Sequence, residues 1–176
     1  MAIANVLAAF VRAVDGLNRR VGQVVGWLTL GTVLVCASVV VLRYVLKIGF
    51  IWMQELYVWT HACVFMLGAG YALLLDKHVR VDLWFARQSA RTRAWVEIAG
   101  CAVFLLPWIA ALAWVTVPYV ARSWTILEVS SQSGGMPGLF LLKSVVLAFC
   151  LLFGLQGLAR AARAALLLMG RPMASS

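Results

Sequence analysis

Val21–Leu42 reads VGQVVGWLTLGTVLVCASVVVL, 22 residues without a charged side chain. At 1.5 Å per residue such a helix is about 33 Å long, enough to cross a hydrocarbon core of about 30 Å. Two more charge-free runs follow, Leu56–Leu75 and Ile98–Ala121. A fourth, Gly138–Ala159, is interrupted only by Lys143 near its start, where an ammonium can snorkel to the interface. These runs predict an all-α integral membrane protein with four transmembrane helices, at about 21–42, 54–75, 98–121 and 138–160. Composition agrees. The chain is 64% apolar and 12% charged with mean hydropathy +0.96, against about 45–50% and about 25% for soluble domains. A water-facing surface cannot hide that surplus, so disorder, a disulfide scaffold and an ordinary soluble enzyme are excluded.

The third run contains Pro107 and Pro118. Each removes a backbone donor, so that helix is expected to bend. Cys36, Cys63, Cys101 and Cys150 fall one in each run. Without a CxxC or Cys/His spacing they read as small apolar residues, and neither disulfide nor metal ligation is expected.

The basic residues set the orientation. Arg12, Arg19 and Arg20 precede the first span, and Lys77, Arg80, Arg87, Arg91 and Arg93 lie between the second and third. Arg160, Arg163 and Arg171 end the chain. The opposite side has only Arg43, Lys47, Arg122 and Lys143. The positive-inside rule then puts both termini and the middle loop in the cytoplasm. The net charge of +9 is thereby an orientation and lipid-headgroup signal, and nucleic acid is not expected as a partner. Trp52, Trp59, Trp84, Trp95 and Trp124 sit near span ends, as an aromatic belt requires.

Ahead of the first span, Ile3, Val6, Leu7, Phe10, Val14 and Leu17 recur at helical spacing, with Asn5, Arg12 and Asp15 mostly opposite. This predicts an amphipathic interfacial helix over 1–20, a transmembrane domain over 21–160 and a cytoplasmic tail over 161–176. A cleaved signal peptide fits less well, because the basic residues follow the apolar positions.

Ionisable groups inside the spans are scarce. His61 is the one midmembrane titratable candidate, and its plain reading is a hydrogen bond within the bundle. As a haem ligand it would need a facing partner, and His78 lies at the end of the same span. Glu55 opens the second span opposite Arg43 and Lys47, as an ion pair fixing the turn or an external site. Asp76–Asp82 (DKHVRVD) reads as a solvated cap with local charge pairs. Glu128–Gly138 (EVSSQSGGMPG) turns tightly at Gly134, Gly135 and Pro137 before a helix start. No nucleophile–base pair or metal-ligand spacing is present, so the residues point to a membrane scaffold or transporter subunit.

Three stretches occur in a telling order: RYVLKIG (Arg43–Gly49), WMQEL (Trp52–Leu56) and FMLGAGYALLLDKHVRVD (Phe65–Asp82). Together they resemble the small permease subunit of tripartite ATP-independent periplasmic (TRAP) transporters, the DctQ-type protein, over roughly Val21–Leu158. Arg43, Tyr44, Glu55, Gly68, Ala69, His78, Arg80, Val81 and Asp82 match that pattern. The loop through Ser130, Ser131, Ser133, Gly134, Gly135 and Pro137 looks like the branch labelled mannitol/chloroaromatic. The resemblance implies a bacterial inner-membrane subunit without a cofactor. Its partners would be a large permease subunit, a periplasmic substrate-binding protein and membrane lipid. The large subunit would perform sodium-driven uptake of an organic acid. Arg43, Lys47, Glu55, Arg122 and Glu128 would be partner contacts, and Asp76, His78, Arg80 and Asp82 would order the cytoplasmic turn. The alternatives are a haem-binding anchor of a respiratory complex, on His61, and a small four-helix multidrug exporter. The exporter would need a carboxylate in the first span, which is absent.

Overall fold

The structure is a computed structural model that describes residues 2–77, 85 and 87–171. It consists of four long helices: α1 (Ala2–Tyr44), α2 (Ile51–Leu74), α3 (Ala90–Thr125) and α4 (Leu139–Leu168). All four are long and apolar enough to cross a bilayer. In hydrocarbon every backbone donor must find its acceptor within the segment, and a helix does this for any apolar sequence.

The expected separate helix over 1–20 is instead the first half of α1, which runs unbroken for 43 residues. That is about 65 Å, twice what a hydrocarbon core needs. Tertiary packing keeps the axis continuous. Val11 and Val14 are buried against Ala159 and Ala162 of α4, with Leu7, Phe10 and Leu155 around them. The residues expected to form a tail continue α4 to Leu168 for the same reason. Asp15, expected on the polar side, is buried with this cluster.

The third run carries a local distortion ahead of one of its two prolines. Ser89 caps the start of α3, its hydroxyl accepting from Thr92 N–H at 3.1 Å. Cys101–Leu105 then widens into a π turn directly before Pro107. Pro107 cannot donate to the carbonyl four residues back and its ring crowds it, so the extra residue is accommodated there. Pro118 lies inside a helix that continues to Thr125.

α4 is the centre of the bundle. α1 and α2 pack on each other and on α4, and α3 packs on α4. Small residues let the backbones approach. A Cβ at Gly157 would lie 2.7 Å from Leu105, so the last residue of the π turn seats on that glycine. A Cβ at Gly22 would meet the Tyr71 ring at 2.2 Å, and one at Gly70 would meet Asn18 Oδ1 at the same distance. The outward faces are apolar: Trp27, Phe65, Phe104 and Trp114 are all more than 70% exposed, as lipid-facing residues should be.

Gly22→Ala should therefore force the Tyr71 ring aside and destabilise the α1–α2 pair by about 1–3 kcal/mol. Gly26→Ala, where nothing lies within 4 Å of the added carbon, should cost nothing. Thermal unfolding of the two variants in detergent checks the contrast.

Candidate functional site

The ionised side chains of the bundle gather at its two ends. At the end formed by the α1–α2 and α3–α4 loops, Glu55 stands one turn into α2 and reaches the last loop. Its Oε1 accepts from the Ser130 hydroxyl and its Oε2 from Met136 N–H at 2.6 Å. The loop is shaped to meet it. Leu127, Gly134 and Gly138 all have positive φ (45°, 78° and 86°), which the two glycines adopt without steric cost. At Gly135 a Cβ would come within 2.5 Å of Ser130 Oγ and 2.8 Å of Glu55 Oε2. Only glycine admits the carboxylate there.

Beside this clamp, Glu128 accepts from the Ser123 hydroxyl at 2.6 Å and pairs with Lys143 of α4. The Lys143 ammonium also stands 4.1 Å above the Tyr119 ring. Lys143 is thus partnered rather than merely snorkelling. The Lys143 hydrogen bond, then that of Ser123, hold the Glu128 carboxyl below its ordinary range, with Arg122 adding to the effect. Its folded-state value being the lower one, the pair stabilises above the ordinary carboxylate range and is lost as the medium acidifies through the folded value.

Arg43 and Lys47 lie exposed near this end, with no ion-pair partner among the described residues. The expected Glu55 pair with them is not formed, because the carboxylate is occupied by the loop 75 residues away. Lys47 takes a left-handed φ of 59° in the α1–α2 turn, and Tyr44 is exposed. Gly68 lies against Val25 at ordinary contact distance and Ala69 is half-buried, so the close-approach glycine in α2 is Gly70. His61 is exposed on α2 and, among the described residues, has no hydrogen bond inside the bundle, contrary to expectation.

At the other end, one arginine joins three helices. Arg160 of α4 forks onto Glu97 of α3, with Nε to Oε2 at 3.1 Å and Nη2 to Oε1. Its Nη1 donates to Asp76 Oδ1 at 2.9 Å and to Leu73 O at 3.3 Å at the end of α2. Asp76 reaches it by taking a left-handed φ of 58°, where Lys77 N–H bonds Ala72 O at 2.9 Å in a Schellman end. Asp76 was expected to pair locally; in the structure it also reaches Arg160 on α4. His78, Arg80, Val81 and Asp82 lie outside the described residues.

One turn further, Arg163 pairs with Asp15 of α1. Gln156 Nε2 donates to Asp15 Oδ1 at 3.0 Å, and Asn18 Nδ2 donates to Gln156 Oε1 at 2.8 Å. Among the described residues Asn18 Oδ1 has no hydrogen-bond partner, and it faces Gly70. Asn18, Glu97, Gln156, Arg160 and Arg163 were not singled out from the sequence as site residues. Their signal is spacing: Asp15 and Asn18 stand three apart, and Gln156, Arg160 and Arg163 four and then three, each set on one helix face.

Among the described residues no group of three or more His, Cys, Asp or Glu side chains could hold a metal ion. Nothing in the clamps pairs a nucleophile with a base. Their chemistry is that of fasteners and of charged surfaces. The Arg160 cluster should bear most of the load between α2, α3 and α4. Arg160→Gln removes the fork onto Glu97 and the bond to Asp76, at a cost of about 2–3 kcal/mol for a partly exposed cluster. Arg160→Lys should recover only part, since an ammonium cannot fork onto Glu97. Chemical denaturation in micelles measures both.

Residues 31–167 match a family model described as tripartite ATP-independent periplasmic transporters, DctQ component. No curated protein and no solved structure matches the chain.

Proposed function

Because this chain belongs to the DctQ-component family of tripartite ATP-independent periplasmic transporters, we propose that it braces a large permease subunit in the bacterial inner membrane and helps dock a periplasmic substrate-binding protein. Membership makes it a small membrane subunit of such a carrier. The finer reading rests on one observation: its charged side chains stop at the ends of the spans. Asp15, Asp76, Glu97, Arg160 and Arg163 are joined at one end, and Glu55, Glu128 and Lys143 are tied down at the other. Between them, among the described residues, the bundle offers polar groups such as Thr116 but no buried carboxylate or ammonium to carry an ion. A subunit outside the substrate pathway needs none, whereas a carrier does. Sodium-driven uptake of an organic acid belongs in this reading to the large subunit.

The charge count supports an orientation with both termini and the middle loop in the cytoplasm. The end carrying Glu55 then faces the periplasm. There the Glu55 clamp supplies a fixed loop, and the exposed cations Arg43, Lys47 and Arg122 supply a charged rim that steers a partner. Glu55 and Glu128 serve docking by shaping that surface, and Gly134, Gly135 and Pro137 by letting the loop close on Glu55. The reading differs from a haem anchor in its partner: a much larger membrane protein instead of a pigment.

Two measurements test it. The full chain, solubilised gently from its own membrane, should bring down a much larger membrane protein in near-equal amount. The chain alone in proteoliposomes should move no substrate under a sodium gradient. Unaided uptake would sink the proposal.

A further inference from the structure

Between the end of α2, the start of α3 and the last third of α4 lies a crevice of about 440 Å³. One wall is apolar, built from Leu73, Leu74, Ala94 and Leu167. The other carries Arg93, Arg160 and Arg163 together with the carboxylates Asp76 and Glu97. Arg160 is committed to Glu97 and Asp76, and Arg163 to Asp15. Arg93 is exposed and has no ion-pair partner among the described residues. Among the described residues the buried Arg163 Nε–H has no acceptor, which costs free energy unless a ligand supplies one.

The start of α3 adds to this imbalance. Its first turn has no carboxylate, while Arg87, Arg91 and Arg93 crowd the positive end of the helix dipole. The depth is also informative. Leu73 and Leu74 close the apolar run of α2 and Lys77 follows, so the crevice opens at the boundary between apolar and polar surface. A free anion would leave the leucine wall unused, and a hydrocarbon chain would leave the arginines unused. A molecule with an anionic head and an acyl stem uses both.

We infer that this crevice is a binding site for an anionic phospholipid. The phosphate sits against Arg93 and the Arg163 Nε–H, and the first acyl carbons lie on Leu73, Leu74 and Leu167. The site goes beyond the assembly role and depends only on the helices lying in a membrane. Its failure and the failure of the transporter reading are therefore separate results.

The test is native mass spectrometry of the full chain in detergent, offered phosphatidylglycerol or phosphatidylcholine. Phosphatidylglycerol should be retained at least about fivefold better. Arg93→Gln should lose about fivefold of that retention. Ala90→Trp, which fills the mouth beside Arg93 without removing a charge, should lose it as well. Arg19→Gln, an exposed cation of α1, should behave as the unmodified chain. Equal retention of the two lipids, undiminished retention in either crevice variant, or an equal loss in Arg19→Gln overturns the inference. So does displacement of the lipid by inorganic phosphate alone, which would assign the site to a free anion.

Discussion

Inside a bilayer an apolar side chain gains nothing by leaving lipid for a neighbouring helix, so four apolar helices need other reasons to stay together. Here the reason is Arg160. It binds a carboxylate of α3, a carboxylate in the turn just past α2 and the last backbone turn of α2, and it stands on the helix that all others touch. Close packing over Gly157, Gly22 and Gly70 then becomes available, because the helices are already held in register. The Asp15–Arg163 pair repeats the device for α1 and accounts for that helix staying unbroken through its amphipathic half.

The same logic runs at the opposite end with a different purpose. Glu55 does not fasten helix to helix; it fastens a loop to a helix, and in the proposed orientation that loop faces a partner from outside. Its glycines are there for geometry: Gly134 and Gly138 hold left-handed backbone, and Gly135 clears the space the carboxylate occupies. A bundle that is locked at one end and offers a shaped loop and free cations at the other is suited to bracing and presenting. A moving carrier would need charge in its middle.

How much of this was legible beforehand depended on the range of the interaction. The spans were plain because a charge-free run of twenty residues has one stable form in hydrocarbon. Pro107 marked the distorted turn because its missing donor is a local fact. Arg160 and Arg163 were visible only as orientation charges, since a paired arginine and a solvated one look alike in a sequence. Glu55 was seen as important, but its partners lie 75 and 81 residues away and no periodicity points to them. The continuity of α1 was hidden for the same reason: amphipathic spacing says that a face is covered, and the covering here is α4 instead of a membrane surface.

Rigidity is the property on which the bracing role stands, and distances between helices test it. Spin labels at exposed positions, such as Val58 on α2, Trp114 on α3 and Leu151 on α4, report the bundle within the assembled transporter once the four native cysteines are replaced. Double electron–electron resonance would then be recorded with sodium and substrate added and withdrawn. A static brace keeps all three distances unchanged through the cycle. A displacement approaching a helix diameter, about 10 Å, would make this chain a moving part and contradict it.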